Sequence, residues 1–119
     1  MDLIIGGAFQ GKLEYARKKY NLKTDDLCDC TIEKEPDLSK RCINHFERYI
    51  LWCMRNDNDP QLSFRKDQII ILSDIFCGVV PIEKEARAWR EACGRAGTAL
   101  ASSADTVTRL FCGIPKRIK

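Results

Sequence analysis

After Met1 the chain runs Asp2-Leu3-Ile4-Ile5-Gly6-Gly7-Ala8-Phe9-Gln10-Gly11-Lys12-Leu13-Glu14-Tyr15-Ala16-Arg17-Lys18-Lys19-Tyr20. Asp2–Ile5 reads as a short buried strand. A helix follows from about Gly11 to Tyr20, closed near Asn21, with Arg17, Lys18 and Lys19 offsetting the negative end of its dipole. Between the two lies G-x-x-x-x-G-K, the strand-to-helix setting that a phosphate-binding loop requires. Its glycines let backbone N–H groups converge on an anion, and the first turn of the helix adds unpaired N–H groups and a positive dipole end. Lys12 brings a mobile cation to the outer phosphates. Gly6, Gly7, Ala8, Phe9, Gln10, Gly11, Lys12 and Leu13 are therefore the candidate nucleotide-binding residues. Leu13 stands where such loops carry the Ser or Thr hydroxyl that ligates Mg²⁺.

The rest of the chain extends this start into an α/β pattern. Thr24-Asp25-Asp26 reads as a turn, and Leu27–Ile32 as a second strand with Asp29 inside it. The polar stretch 33–37 breaks the chain, with Pro36 and Asp37 as a helix entry. From Leu38 to Arg55, the 3-4-3 spacing of Ile43, Phe46, Ile50 and Cys53 predicts one amphipathic helix. Arg41, His45, Arg48 and Trp52 fall on its neighbouring stripe. Asn56–Pro60 is a loop. Gln68–Asp74 has the unbroken apolar run of a central parallel strand buried on both faces. Glu83–Ala104 is a long helix with Ala86, Trp89, Cys93, Ala96 and Leu100 on one side. Val107–Cys112 and Pro115–Lys119 are two final strands around Gly113. This alternation predicts a single domain over 1–119: three α/β layers, a mostly parallel sheet and a C-terminal strand pair. Ligands of such sheets sit beyond the carboxyl ends of the strands, where the glycine loop, Asp29 or Cys30, and Asp74 all fall.

Composition sets bounds on function. The 119 residues suffice for one domain, and a net charge of +3 from 20 basic and 17 acidic residues gives no argument for nucleic acid or a membrane surface. There is no charged-then-apolar leader and no apolar run of membrane-spanning length, so a cytoplasmic protein is expected. Seven cysteines are many for this size. Cys28, Cys30, Cys42 and His45 match no common zinc spacing, and reduced, buried thiols are expected instead.

Four segments carry a resemblance that goes beyond fold class. Leu72-Ser73-Asp74-Ile75-Phe76-Cys77-Gly78-Val79-Val80-Pro81 resembles the T-N-E-V-G-x-G-I/V-V-P segment of the adenosylcobinamide kinase/adenosylcobinamide-phosphate guanylyltransferase family. Arg87-Ala88-Trp89-Arg90-Glu91-Ala92-Cys93-Gly94-Arg95-Ala96-Gly97-Thr98 is similar to its R-x-F-R-D-x-x-G-R-x-N-Q stretch. The run from Ala104-Asp105-Thr106-Val107 through Cys112-Gly113-Ile114-Pro115 to Lys119 is similar to its A-D-E-V…S-G-I-P-x-x-x-K tail. The opening Ile4–Lys12 resembles its V-T-G-G-A-R-S-G-K loop. The chain departs from the pattern at Phe9-Gln10, Leu13, Ser73, Asp74 and Gly97, and it is short between residues 30 and 70.

The resemblance implies a P-loop NTPase-like fold. It also implies ATP or GTP as cosubstrate with Mg²⁺, a corrinoid acceptor, and a homo-oligomer with sites near subunit interfaces. Asp74, at a strand end beside the loop, is then the candidate Mg²⁺ ligand and catalytic carboxylate. Arg87, Arg90 and Arg95 become candidate phosphate ligands through their planar donor forks, with pairing to Glu91 or another carboxylate as the alternative. His45, four residues after Arg41, keeps the spacing of the family's guanylyl-accepting histidine and is the candidate nucleophile. Two readings stay open: an enzyme that phosphorylates or guanylylates a cobalamin precursor, and a catalytically degenerate nucleotide-binding or regulatory protein on the same scaffold.

Overall fold

The computed structural model describes residues 1–32 and 34–119. Glu33, part of the anticipated polar break, lies outside the described residues. The elements in chain order are β1 (Asp2–Gly6), α1 (Lys12–Tyr20), a 3₁₀ turn (Thr24–Asp26), β2 (Leu27–Asp29), β3 (Cys42–Asn44), α2 (Phe46–Arg55), β4 (Ile69–Ser73), α3 (Lys84–Ser103), β5 (Thr106–Phe111) and β6 (Ile114–Arg117).

The strands form one six-stranded sheet in the order β2-β3-β4-β1-β5-β6. All neighbours are parallel except β5 and β6, which pair antiparallel around Cys112-Gly113. Pro115 sits in β6, an edge strand, where its missing N–H costs the ladder nothing toward solvent. In β1 and β4 alternate side chains enter opposite apolar clusters, as period-2 geometry requires. Leu3, Ile70 and Leu72 pack with Phe46, Ile50, Cys93 and Leu100 from α2 and α3. Ile4, Ile69 and Ile71 pack with Ala16 of α1, Leu22 and Leu110. The result is three layers, with α1 on one face of the sheet and α2 and α3 on the other. All five residues of β4 are buried, as its unbroken apolar run predicts.

One expectation is corrected. Leu38–Arg55 is not a single helix: residues 38–40 form a turn, Cys42–Asn44 is strand β3, and α2 starts only at Phe46. His45 between them has φ 55°, a left-handed conformation that no helix interior contains. Ile43 satisfied the helical spacing while belonging to a strand, and Arg41 and His45 do not share a helix face with Arg48. A second correction is smaller. β2 ends at Asp29, whose carboxylate caps the N–H and hydroxyl of Thr31 at 3.0 and 2.8 Å, so the strand turns before Ile32. The entry to β3 is braced instead by buried Gln68, which donates through Nε2 to the carbonyls of Leu38 and Lys40, each at 2.8 Å.

Candidate functional site

The parallel strands place Gly6, Ser73, Asn44 and Asp29 at one edge of the sheet, so everything that follows those residues gathers there. The last residue of β1, Gly6, packs directly on β5: a Cβ on Gly6 would lie 2.7 Å from the Leu110 carbonyl oxygen. The chain then turns through residues 7–10 and enters α1 at Gly11, whose φ of +82° suits a residue without Cβ. Phe9 takes φ 59° and is fully exposed at the tip. Gln10 ties the loop to the β5–β6 turn. Its carbonyl accepts the Gly113 N–H at 3.0 Å, and its side-chain oxygen accepts the Cys112 N–H.

Lys12 is 8% exposed, and its Nζ donates to the Gly7 carbonyl across the loop at 2.6 Å. Burial lowers its pKa below the ordinary 10.5, against the opposing pull of the Glu47 and Asp74 carboxylates. The lysine is thus a partly desolvated cation held in the loop by two nearby negative charges. Asp74 follows β4, with its N–H on the Gly6 carbonyl at 3.1 Å. Its carboxylate stands beside the loop, where a Cβ on Gly7 would come 3.6 Å from Oδ1. Leu13 turns its side chain toward the apolar cluster of Ile4, Ala16 and Leu22.

A cleft of about 740 Å³ opens at this edge. The loop residues Ala8 to Glu14 form one wall. Thr31, Asn44, His45, Glu47, Arg48, Ser73, Ile75 and Trp89 form the rest. Its least expected member is Glu47, 4% exposed on the first turn of α2. Glu47 Oε2 accepts the Ser73 N–H at 3.0 Å, and Oε1 lies 3.1 Å from His45 Nδ1. Arg48 lies over the Trp89 ring at 5.5 Å, a cation–π contact within the cleft wall. A larger groove, about 890 Å³, shares no lining residue with this cleft and carries no part of the glycine loop.

The structure brings Gly6 to Leu13, His45 and Asp74 together at the strand ends. It places the three candidate arginines elsewhere. Arg90 donates to the Phe76 carbonyl at 3.0 and 3.2 Å and to the Gly78 carbonyl at 2.9 Å, holding the 76–78 turn. Arg87 bonds the Pro81 and Ile82 carbonyls. Arg95 lies 3.9 Å from Glu91 on the exposed face of α3. None of the three lines the cleft. Sequence reasoning missed Glu47, although one signal was available. Glu47 precedes Ile50 and Leu51 by three and four residues, which places a carboxylate on the core side of a helix.

Cys28, Cys30, Cys42, Cys53 and Cys93 are buried and free, and Cys77 and Cys112 are exposed and free. Among the described residues no group of three or more His, Cys, Asp or Glu is assembled to hold a metal by itself. Nor, among the described residues, is any helix long and apolar enough to cross a membrane.

The family model for cobinamide kinase / cobinamide phosphate guanyltransferase matches residues 56–118, just over half of the chain. The chain belongs to this family. The cobinamide kinase/guanyltransferase match spans β4, α3 and the β5–β6 hairpin, and with them Asp74, Arg87, Arg90 and Arg95. The glycine loop and His45 lie before it. No individual curated protein matches the chain. Membership ties the chain to the nucleotide-dependent kinase and transferase chemistry of cobalamin biosynthesis.

Proposed function

We propose that the cleft binds the triphosphate of ATP or GTP on a P-loop NTPase-like scaffold, and that the protein phosphorylates or guanylylates a cobalamin precursor. The observation that carries this reading is the placement of Lys12. It is buried at a helix N-terminus entered through a left-handed glycine, bonded across the loop to Gly7, and open to a cleft large enough for a nucleotide. A polyanion replaces the Gly7 carbonyl as partner of Nζ and gains the loop and helix N–H groups. Mg²⁺ takes phosphate oxygens and waters together with one or two carboxylates. Asp74, beside the loop, is the residue that would supply the protein ligand, and Arg48 is the cleft cation available to the remaining phosphates. Arg87, Arg90 and Arg95 reach phosphate only by giving up their present partners.

One observation favours the alternative, a nucleotide-binding protein without turnover. Leu13 fills the hydroxyl's position with a side chain committed to the apolar cluster under α1. The homo-oligomer that the resemblance implies is in keeping with the exposed Val79 and Ile82, at 94% and 93%. Isothermal titration with ATP and GTP, each with and without Mg²⁺, tests the binding. A direct assay of cobinamide phosphorylation then separates enzyme from binder. Absence of heat with every nucleotide removes the phosphate-loop reading.

A further inference from the structure

Glu47 belongs to no motif of the glycine loop, yet its side chain is buried in the wall of the cleft, where its charge also acts on Lys12. Its carboxylate is buried and makes one contact with each oxygen, to the Ser73 N–H and to His45 Nδ1. Its backbone is clamped as well: the Glu47 carbonyl accepts Trp89 Nε1–H at 2.7 Å and faces Cys93 Sγ at 3.9 Å. His45 in turn holds a left-handed backbone, uncommon for a residue with a Cβ, and its carbonyl accepts the Arg48 N–H at 2.8 Å. Such strain persists only where the surroundings over-determine it. A glutamate that merely capped the end of β4 would need one oxygen. The second oxygen is spent on the ring of the only histidine in the chain.

We propose that Glu47 is the positioning residue for His45: it accepts the Nδ1 hydrogen and leaves the Nε2 lone pair in the cleft to take the proton of the acceptor hydroxyl. A carboxylate can only accept a hydrogen bond, so the neutral imidazole beside it carries its hydrogen on Nδ1. The base is then ready without a change of tautomer, the arrangement that a buried carboxylate imposes on a catalytic histidine. Resting on the nucleotide reading above, the step balances as follows. The acceptor hydroxyl oxygen bonds to the γ-phosphorus, and the bond from that phosphorus to the β–γ bridging oxygen breaks. Nucleoside diphosphate leaves, and the hydroxyl proton passes to Nε2.

The test is the ¹⁵N spectrum of the single histidine, recorded on the free protein above the pH at which the ring is charged. Expected is the Nδ1–H tautomer in wild type and a shift toward Nε2–H in Glu47→Ala. Should that variant not fold, Glu47→Gln serves. Its amide has one acceptor oxygen for two donors, so part of the Nδ1–H population is lost. A wild-type ring protonated at Nε2, or a tautomer unchanged by either variant, overturns the proposal whatever the protein binds. In single-turnover phosphorylation of cobinamide the variants lose on the order of a hundredfold in rate, the scale of a positioned base. A full rate with the tautomer lost overturns the base assignment. The expected tautomer shifts in a protein that binds no nucleotide uphold the positioning and sink the functional reading instead.

Discussion

Gly6 approaches Leu110 so closely that a single added methyl group would stand 2.7 Å from the Leu110 carbonyl oxygen. The obstructing atom is backbone in a paired strand and cannot turn aside. Gly6→Ala therefore pushes β1 from β5 and costs about 1–3 kcal/mol of stability, the range for overpacking a core. Thermal unfolding measures it. Gly7→Ala, with its neighbours at 3.6 and 3.7 Å, is the comparison: it leaves the melting temperature nearly unchanged.

Lys12→Ala weakens triphosphate binding by about 1.5–3 kcal/mol, the size of a charge-assisted contact. The difference between wild type and variant also depends on pH. Burial puts the free lysine below 10.5, and bound phosphate favours its charged form. The advantage over Lys12→Ala is full below the free-state pKa and shrinks as pH rises through it. Titration calorimetry from neutral to alkaline pH reads the trend. A constant difference up to pH 10.5 means that Lys12 is not the phosphate ligand.

Leu13→Ser exchanges a packing contact for the missing hydroxyl. Two opposite effects are expected: a loss of about 1 kcal/mol in stability from apolar surface withdrawn from the α1 cluster, and a stronger dependence of nucleotide binding on Mg²⁺. If wild-type binding already requires Mg²⁺ fully, another group has replaced the hydroxyl, and Asp74→Asn then abolishes the requirement.

Incubation with labelled GTP and Mg²⁺ separates the two uses of His45. A guanylylated histidine carries a phosphoramidate, stable to base and broken by acid. The expected result is no acid-labile label on wild type, since the chain is short between residues 30 and 70, where the family's guanylyl-accepting histidine lies. A label present on wild type and absent from His45→Ala makes His45 the nucleophile and restores guanylyl transfer.

Thiol reagents should divide the cysteines in the native protein. Cys77 and Cys112 are exposed and react promptly. Burial raises Cys42 and Cys93 to about 12, and they stay protected until the protein unfolds. Mass spectrometry of modified peptides gives the pattern, and prompt labelling of Cys42 would contradict the packing of β3.

Where a stretch obeys one periodicity, its structure could be read directly. β1, the loop and α1 follow from the glycines and the apolar residues ahead of them, β4 from its run of isoleucines, and α3 and the hairpin from their spacing and Gly113. β3 was hidden because three residues are too few to establish alternation. Ile43 also happens to stand at helical distance from Phe46 and Ile50. What fixes β3 is tertiary: its pairing with β2 and β4 and the brace from Gln68, a residue with no local signature. The site divides the same way. Lys12 is a candidate from local pattern, Asp74 from its place at a strand end and His45 from the resemblance, whereas Glu47 is picked out by contacts with β4 and α3 that no local pattern shows; Arg87 and Arg90 bond nearby backbone carbonyls, and Arg95 faces Glu91.

The two bonds from Gln10 to Cys112 and Gly113 join the beginning of the chain to its last hairpin. Their consequence is thermodynamic preorganisation. A glycine-rich loop left to itself must surrender backbone freedom when it closes on an anion, and that loss is subtracted from affinity. Here part of the freedom is already surrendered on folding, to a turn nearly the whole chain length away. On the phosphate-loop reading, shortening that hairpin therefore weakens nucleotide binding although none of its residues is a proposed phosphate ligand.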